Sequence, residues 1–185
     1  SRSTDLRGGF GGVEGRALRA GDVIGLVAPP ALAVAAPVIP RWRLEPRAYD
    51  PPGEPIRFVP STHSAAGPLM RELWRVHPDS NRQGLRLDGR AIATSAENLL
   101  SAAVAPGTIQ LPPEGRPIVL LADAQTFGGY PRMGHVAAVD LRRLAQAAPG
   151  TALTFESIDA ETAAGLWRGQ RALLARVQLM LDARS

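Results

Sequence analysis

Five polar side chains fall close together past the middle of this sequence: Asp123, Gln125, Thr126, Tyr130 and Arg132. An acid, an amide, a hydroxyl, a phenol and a guanidinium can together hold and polarise an amide-like or carboxylate ligand. Gly128 and Gly129 interrupt the set and would let backbone approach a ligand closely. Just before them, Ile118 to Ala122 forms an apolar run of the kind that makes a strand buried on both faces. If the chain stays extended, Asp123 and Gln125 point to the same side as Val119 and Leu121. An acid that continues an apolar face must be neutralised, be paired, or lie at the mouth of the core. Two readings of Asp123 follow. It accepts backbone N–H bonds from the turn at Thr126 to Gly129, or it binds substrate with Gln125, completed by Thr126, Tyr130 and Arg132. Arg132 could pair with Asp123 or take an anionic group. Asn81 and Arg82 precede a tight turn. They serve turn chemistry, or Asn81 brings its amide to the same site with Arg82 beside it.

Much other chemistry is excluded. There are no cysteines, which removes disulfides, zinc–cysteine sites and thiol nucleophiles and is compatible with a cytoplasmic protein. All 21 basic residues are arginine. Without lysine there is no Walker-type phosphate loop, no Schiff-base amine and no attachment point for biotin. His63, His77 and His135 show no metal-ligand spacing, so no metal is expected. There is no GxSxG elbow. A net charge of +4 with scattered arginines gives no basic stripe, so no nucleic-acid partner is expected. No apolar run reaches the length of a membrane helix, and no signal-peptide pattern opens the chain.

The elements that must carry the polar segment are short. Hydrophobic residues make up 45% of the 185, enough for one good core or two small ones. Residues 1–20 read as a glycine-permitted loop, followed by a short strand over Val23–Val27. Residues 28–55 are rich in proline, with a strand near Trp42–Leu44, and suggest a connection. The expected organisation is therefore an N-terminal segment over 1–55 and a main domain over 56–185. In the latter, strands are predicted at Ile56–Val59, Trp74–His77, Leu85–Leu87, Ala91–Thr94, Thr108–Leu111, Ile118–Ala122, His135–Val139 and Leu153–Ile158. The pair Leu85–Leu87 and Ala91–Thr94 reads as a hairpin across Asp88-Gly89. A short helix begins at Pro68. Asp140 and Asp159 are placed to cap two more, the second running to about Ala183 with Ala163, Leu166, Leu173, Val177, Met180 and Leu181 on one face. Many short strands with proline and glycine turns predict a mainly β fold: a closed or nearly closed β-barrel with a few peripheral helices and a C-terminal helix.

The segments STDLRGGFGGVEGRALRAGD (3–22), SNRQGLRLDG (80–89) and PGTIQLPPEGRPIVLLADAQTFGGYPRMGHVAAVDLRRLAQAAPG (106–150), with the closing helix, resemble the allophanate hydrolase subunit 2 family, also called KipA-like. That family includes the C subunit of 5-oxoprolinase and the matching part of the urea carboxylase carboxyltransferase region. The resemblance implies a cyclophilin-like β-barrel and a two-lobed parent protein, of which this chain looks like the C-terminal lobe. Within the signature, Phe127 stands where the family commonly has a small residue, Ala124 where it has a basic one, and Asn81 where an aspartate is common.

The resemblance implies a subunit of a heteromeric ATP-dependent amidohydrolase acting on a cyclic amide or urea-like substrate. Asp123, Tyr130 and Arg132 would then be the catalytic candidates, with Asp123 the acid/base. Gln125, Thr126, Gly128, Gly129, Asn81 and Arg82 would bind substrate. Implied partners are a subunit 1 (KipI-like) protein, the chain's own N-terminal lobe and, in some systems, a third LamB-type subunit. ATP is implied for the assembly, held by the partner or by arginines and backbone here, and the isolated lobe is expected to be inactive. One alternative is carboxyl transfer to urea or a related amide with biotin supplied in trans. Another is a non-enzymatic regulatory module that binds a KipI-like partner. The cyclophilin-like fold does not itself imply prolyl isomerase activity.

Overall fold

The computed structural model describes residue 4 and residues 8–25, 53–61, 66–94 and 100–182. The chain divides into two compact units, Ser1–Leu44 and Glu45–Ser185.

In the first unit, the glycine-rich stretch is a tight turn. The Gly15 N–H donates to the Gly11 carbonyl at 2.8 Å, and Gly9, Gly11, Gly12 and Gly15 all take positive φ. A side chain at Gly15 would meet the Gly9 backbone at 2.1 Å, so glycine is required there. Arg16 forks onto both oxygens of Asp22 at 2.8 Å each. The expected strand over Val23–Val27 is not formed at Val23–Gly25. Its remainder and the strand near Trp42–Leu44 lie outside the described residues.

The second unit is a barrel-like sheet. Its strands are β1 (Ile56–Pro60), β2 (Trp74–Val76), β3 (Gly84–Asp88), β5 (Thr108–Gln110), β6 (Ile118–Leu120), β8 (Arg132–Val136), β9 (Ala152–Leu153) and β10 (Phe155–Ser157). A separate two-stranded ribbon joins β4 (Ala102–Ala103) to β7 (Phe127–Gly128). The order in the large sheet is β10-β1-β8-β5-β6-β3-β2-β9. Its two outer strands are consecutive in the chain, with only Thr154 between them, so the sheet curls until its ends nearly meet and leaves little open edge. All pairings are antiparallel except β1 with β10.

Side-chain alternation sets which face is inside. Ile56 and Phe58 on β1, Trp74 and Val76 on β2, and Leu85 and Leu87 on β3 are buried, with Arg57, Arg75 and Arg86 between them pointing outward. Each fully buried Ile, Phe or Leu contributes on the order of 2 kcal/mol. Phe58 and Phe155 meet edge to face at 6.1 Å, and the Trp74 indole N–H donates to the Leu69 carbonyl at 2.9 Å. Helix α1 (Gly67–Arg71) carries Leu69 into this core, with Pro68 in its first turn as expected.

Several expectations are corrected. Ala91–Thr94 is not a strand; β3 pairs instead with β2 and β6, and only Ile92 of the 91–94 stretch is buried. The strand expected over His135–Val139 starts and ends earlier, at Arg132–Val136, because a 3-10 turn takes Ala138–Asp140. The strand expected over Leu153–Ile158 splits at Thr154, where the barrel closes. Asp140 precedes helix α2 (Leu141–Ala145) but does not cap it through its side chain. Asp159 does cap helix α3 (Ala160–Asp182), accepting the Thr162 N–H at 2.7 Å. On α3, Val177 is buried, whereas Leu173 and Met180 on the same predicted face remain exposed.

Candidate functional site

β6 delivers the polar segment but stops sooner than the apolar run suggests. The strand ends at Leu120 and Asp123 lies in a turn, closed by the Ala124 N–H on the Leu121 carbonyl at 3.1 Å. Asp123 therefore does not continue the face of Val119. Its turn is sewn to the turn before β3: the Leu121 N–H donates to Gln83 O at 3.0 Å and the Asp123 N–H to Arg82 O at 3.0 Å. Asn81 holds that second turn, its side-chain oxygen accepting the Gln83 N–H at 2.8 Å. Asn81 and Gly84 also exchange both backbone hydrogen bonds at 3.2 Å.

Two interlocked turns thus present one ion pair. Arg82 Nε lies 3.1 Å from Asp123 Oδ2, with side chains 85% and 47% exposed. Asp123 pairs with Arg82 rather than with Arg132 or the N–H groups of the Thr126–Gly129 turn. Its carboxylate stays accessible to a ligand, because an exposed pair is held only weakly.

The rest of the segment goes elsewhere. Gln125 and Thr126 have exposed side chains, and the Thr126 carbonyl accepts the Val104 N–H at 2.9 Å, extending the β4–β7 ribbon. Gly128 sits in that ribbon over Gln110, and a side chain there would meet the Gln110 amide nitrogen at 2.5 Å. Gly129 is half-buried. Phe127, 65% exposed, projects from the ribbon. Arg132 donates to the Ala103 carbonyl at 3.5 Å and lines a cavity of about 290 Å³ with Ser61, Thr108 and His135. Tyr130 instead lines a larger cleft of about 600 Å³ beside His77, Arg86, Glu114 and Arg116. The structure brings Asn81, Arg82 and Asp123 together, but places Tyr130 and Arg132 in different cavities.

Three polar residues that sequence reasoning did not place at a site belong in this description. Thr108 is buried, accepts the Ala105 N–H at 3.1 Å and lies 3.4 Å from His135 Nδ1. Desolvation lowers the pKa of His135 and favours its neutral form. Gly107, with φ +99°, lies under this imidazole; any side chain there would be 3.0 Å from Nε2. Gln110 is 2% exposed and its amide nitrogen has no hydrogen-bond partner among the described residues. The available signal was the polar residues within the PGTIQ word, at alternate positions of a strand where apolar residues are the norm.

A family model described as the carboxyltransferase domain, subdomains A and B, matches residues 1–157. The chain belongs to this carboxyltransferase-domain family. Its relatives include the 5-oxoprolinase C subunit of Haemophilus influenzae, 34% identical over 189 residues that cover 98% of this chain and 58% of that one. The Escherichia coli 5-oxoprolinase C subunit is 37% identical over 166 residues, covering 88% and 52%. Among solved structures, the Kluyveromyces lactis urea carboxylase superposes with a TM-score of 0.64 at 26% identity, over 93% of this chain and 17% of that one. The chain thus spans only a little over half the length of the two curated relatives. The resemblance read from the 3–22, 80–89 and 106–150 segments is borne out, as is the mainly β, cyclophilin-like barrel.

Proposed function

We propose that this chain is part of a subunit of a multi-protein amidohydrolase of the 5-oxoprolinase type, acting on a cyclic amide. The observation that carries this is the 34–37% identity to two 5-oxoprolinase C subunits, spanning 88–98% of the chain. The Arg82–Asp123 pair supplies the matching chemistry. An amide N–H arriving at Asp123 would replace one guanidinium hydrogen bond with its own, and Arg82 could turn to a carboxylate or carbonyl on the same ligand. Asp123 is the acid/base candidate, since its exposed carboxylate can reach a ligand proton or a water. Arg132, which lines a separate cavity, would hold a second anionic group there.

ATP, which this reading assigns to the whole assembly, finds no helix start suited to its phosphates among the described residues. α1 and α2 are five-residue helices. The longer α3 opens with Asp159 on its first-turn N–H and Glu161 beside it, a start that repels phosphate. Nucleotide would then be held by a partner subunit, or here by arginines and backbone, and no step of this chain is routed through it. The partners we propose are a KipI-like subunit 1, the remainder of the parent protein and, in systems that have one, a LamB-type third subunit, all in the cytoplasm. No helix among the described residues is long and apolar enough to cross a membrane.

The test is reconstitution. The full-length protein, coexpressed with its partners, is expected to release ADP in a manner dependent on 5-oxoproline. Asp123→Ala and Arg132→Ala should each suppress that turnover while the complex still assembles. Turnover that is absent, or indifferent to both substitutions, removes the proposal.

A second reading rests on the carboxyltransferase family model and the likeness to urea carboxylase. It is carboxyl transfer to an amide nitrogen. These 185 residues include no lysine to carry biotin, so carboxybiotin would have to be delivered from outside them. Avidin-sensitive carboxylation of urea by the same assembly would favour this reading over hydrolysis.

A further inference from the structure

A second cavity lies away from the Arg82–Asp123 pair, beside β3. It holds about 600 Å³, within the range of small-molecule sites. Its floor is apolar, formed by Leu87, Ile118, Pro112 and Pro117. The charged groups around it divide into satisfied and unsatisfied ones. Asp88 is taken by Arg116 at 3.2 Å. His77 accepts the Asp79 backbone N–H on Nδ1 at 3.0 Å, and its Nε2 faces Asp88 at 3.8 Å. The Asp79 carboxylate lies 3.7 Å from that same Nδ1, whose lone pair is already used by the backbone N–H and offers the carboxylate no hydrogen bond. Arg86 and Glu114 face the cleft with no ion-pair partner among the described residues.

One free guanidinium, two uncompensated carboxylates and the Tyr130 phenol therefore surround an apolar floor. We propose that this cleft binds a free amino acid, with its carboxylate on Arg86, its ammonium between Glu114 and Asp79, and its aliphatic stem over Pro112, Pro117 and Ile118. Arg86 stands on a strand, and Glu114 on a turn tied down by the Gly115 N–H on Pro112 O at 2.9 Å and the Ile92 N–H on Gly115 O at 2.8 Å. Opposite charges thus project from two tied-down stretches of backbone, as a zwitterion site needs. With two carboxylates against one guanidinium, the cleft should favour a basic amino acid over a neutral one. This inference does not depend on the amide reading of Asp123. It gives Tyr130 a wall of a separate site.

The experiment titrates the purified full-length protein with L-lysine, L-alanine, propionate and ethylamine, following backbone amide shifts and heat of binding. L-lysine should bind more tightly than L-alanine, and each single-charge compound should bind at least about tenfold more weakly than L-alanine. Shifts should centre on Leu87, Glu114, Gly115 and Arg116. Arg86→Gln and Glu114→Gln are both on the surface and should each weaken L-lysine by about tenfold or more; Asp123→Asn should leave it unchanged. The proposal is overturned if neither amino acid binds, if binding survives Arg86→Gln, or if Asp123→Asn abolishes it. The last outcome would move the ligand to the other site. Failure of 5-oxoproline turnover with L-lysine binding intact would count against the amide reading alone.

Discussion

Two of the Arg–Asp pairs in the barrel have the same chemistry and opposite settings. Arg57 and Asp140 meet across 83 residues of sequence, with Asp140 buried to 2% side-chain exposure. One carboxylate oxygen accepts both the Arg57 backbone N–H and Nε at 2.9 Å, and the other accepts Nη2 at 2.7 Å. Arg82 and Asp123 meet at 3.1 Å in the open. The buried pair is held by three hydrogen bonds and cannot admit a ligand without exposing a bare charge. The exposed pair is easily opened. A guanidinium–carboxylate pair is therefore a strut or a site according to its burial, and the residue types alone do not decide which.

Removing the strut should give the largest effect. Asp140→Ala leaves the Arg57 guanidinium and backbone N–H without their acceptor and should cost about 3 kcal/mol of folding stability, read by denaturant unfolding. A loss comparable to that of Asp123→Ala would erase the contrast. The pH dependence sharpens it. Desolvation raises the Asp140 pKa, but the hydrogen bonds from Arg57 outweigh it and hold the carboxyl below the usual aspartate value. The stability it contributes is present above the unfolded aspartate pKa of about 3.9 and is lost as pH falls through the lower folded value. Wild-type unfolding midpoints should thus drop below about pH 4 by a step that Asp140→Asn lacks.

Asp159 makes an intermediate case. Asp140 and Asp159 look alike in sequence, each one residue before a helix, and both read as caps. Asp159 is one: hydrogen bonds from Thr162 lower its pKa. Asp140 is not, because an arginine from β1 reaches it first. Asp159→Ala should therefore loosen only the start of α3, seen as faster hydrogen exchange at Thr162 with a smaller shift in global unfolding than Asp140→Ala.

That pair of aspartates shows what was legible. Local signals carried the strand whose apolar residues alternate, Leu85–Leu87, and the turn at Asn81, whose side chain acts on its own neighbourhood. They failed where the deciding partner is distant. Period-two reasoning carried Asp123 onto the face of Val119 because nothing in the residues marks the strand's end at Leu120. That end is set by hydrogen bonds to Arg82 and Gln83, remote in sequence. The same cause hid the separation of Tyr130 from Arg132. The two are adjacent but for Pro131, whose carbonyl is bound by the Leu111 N–H at 2.9 Å while the side chains on either side line different cavities.

The smallest expected effect is the most discriminating. A double-mutant cycle on Arg82 and Asp123 should return a coupling of only about 0.2–1 kcal/mol for folding, because both side chains remain largely solvated in the pair. Raising the salt from low to high should shrink it further, since an exposed pair is screened within a Debye length of about 10 Å at 0.1 M. The same cycle on Arg57 and Asp140 should be larger and nearly indifferent to salt, the carboxylate being out of reach of counterions. If the Arg82–Asp123 coupling proved strong and salt-resistant, the pair would be a second strut. The carboxylate would then be unavailable to an amide, and the acid/base candidate would have to be sought at Thr108 and His135 instead.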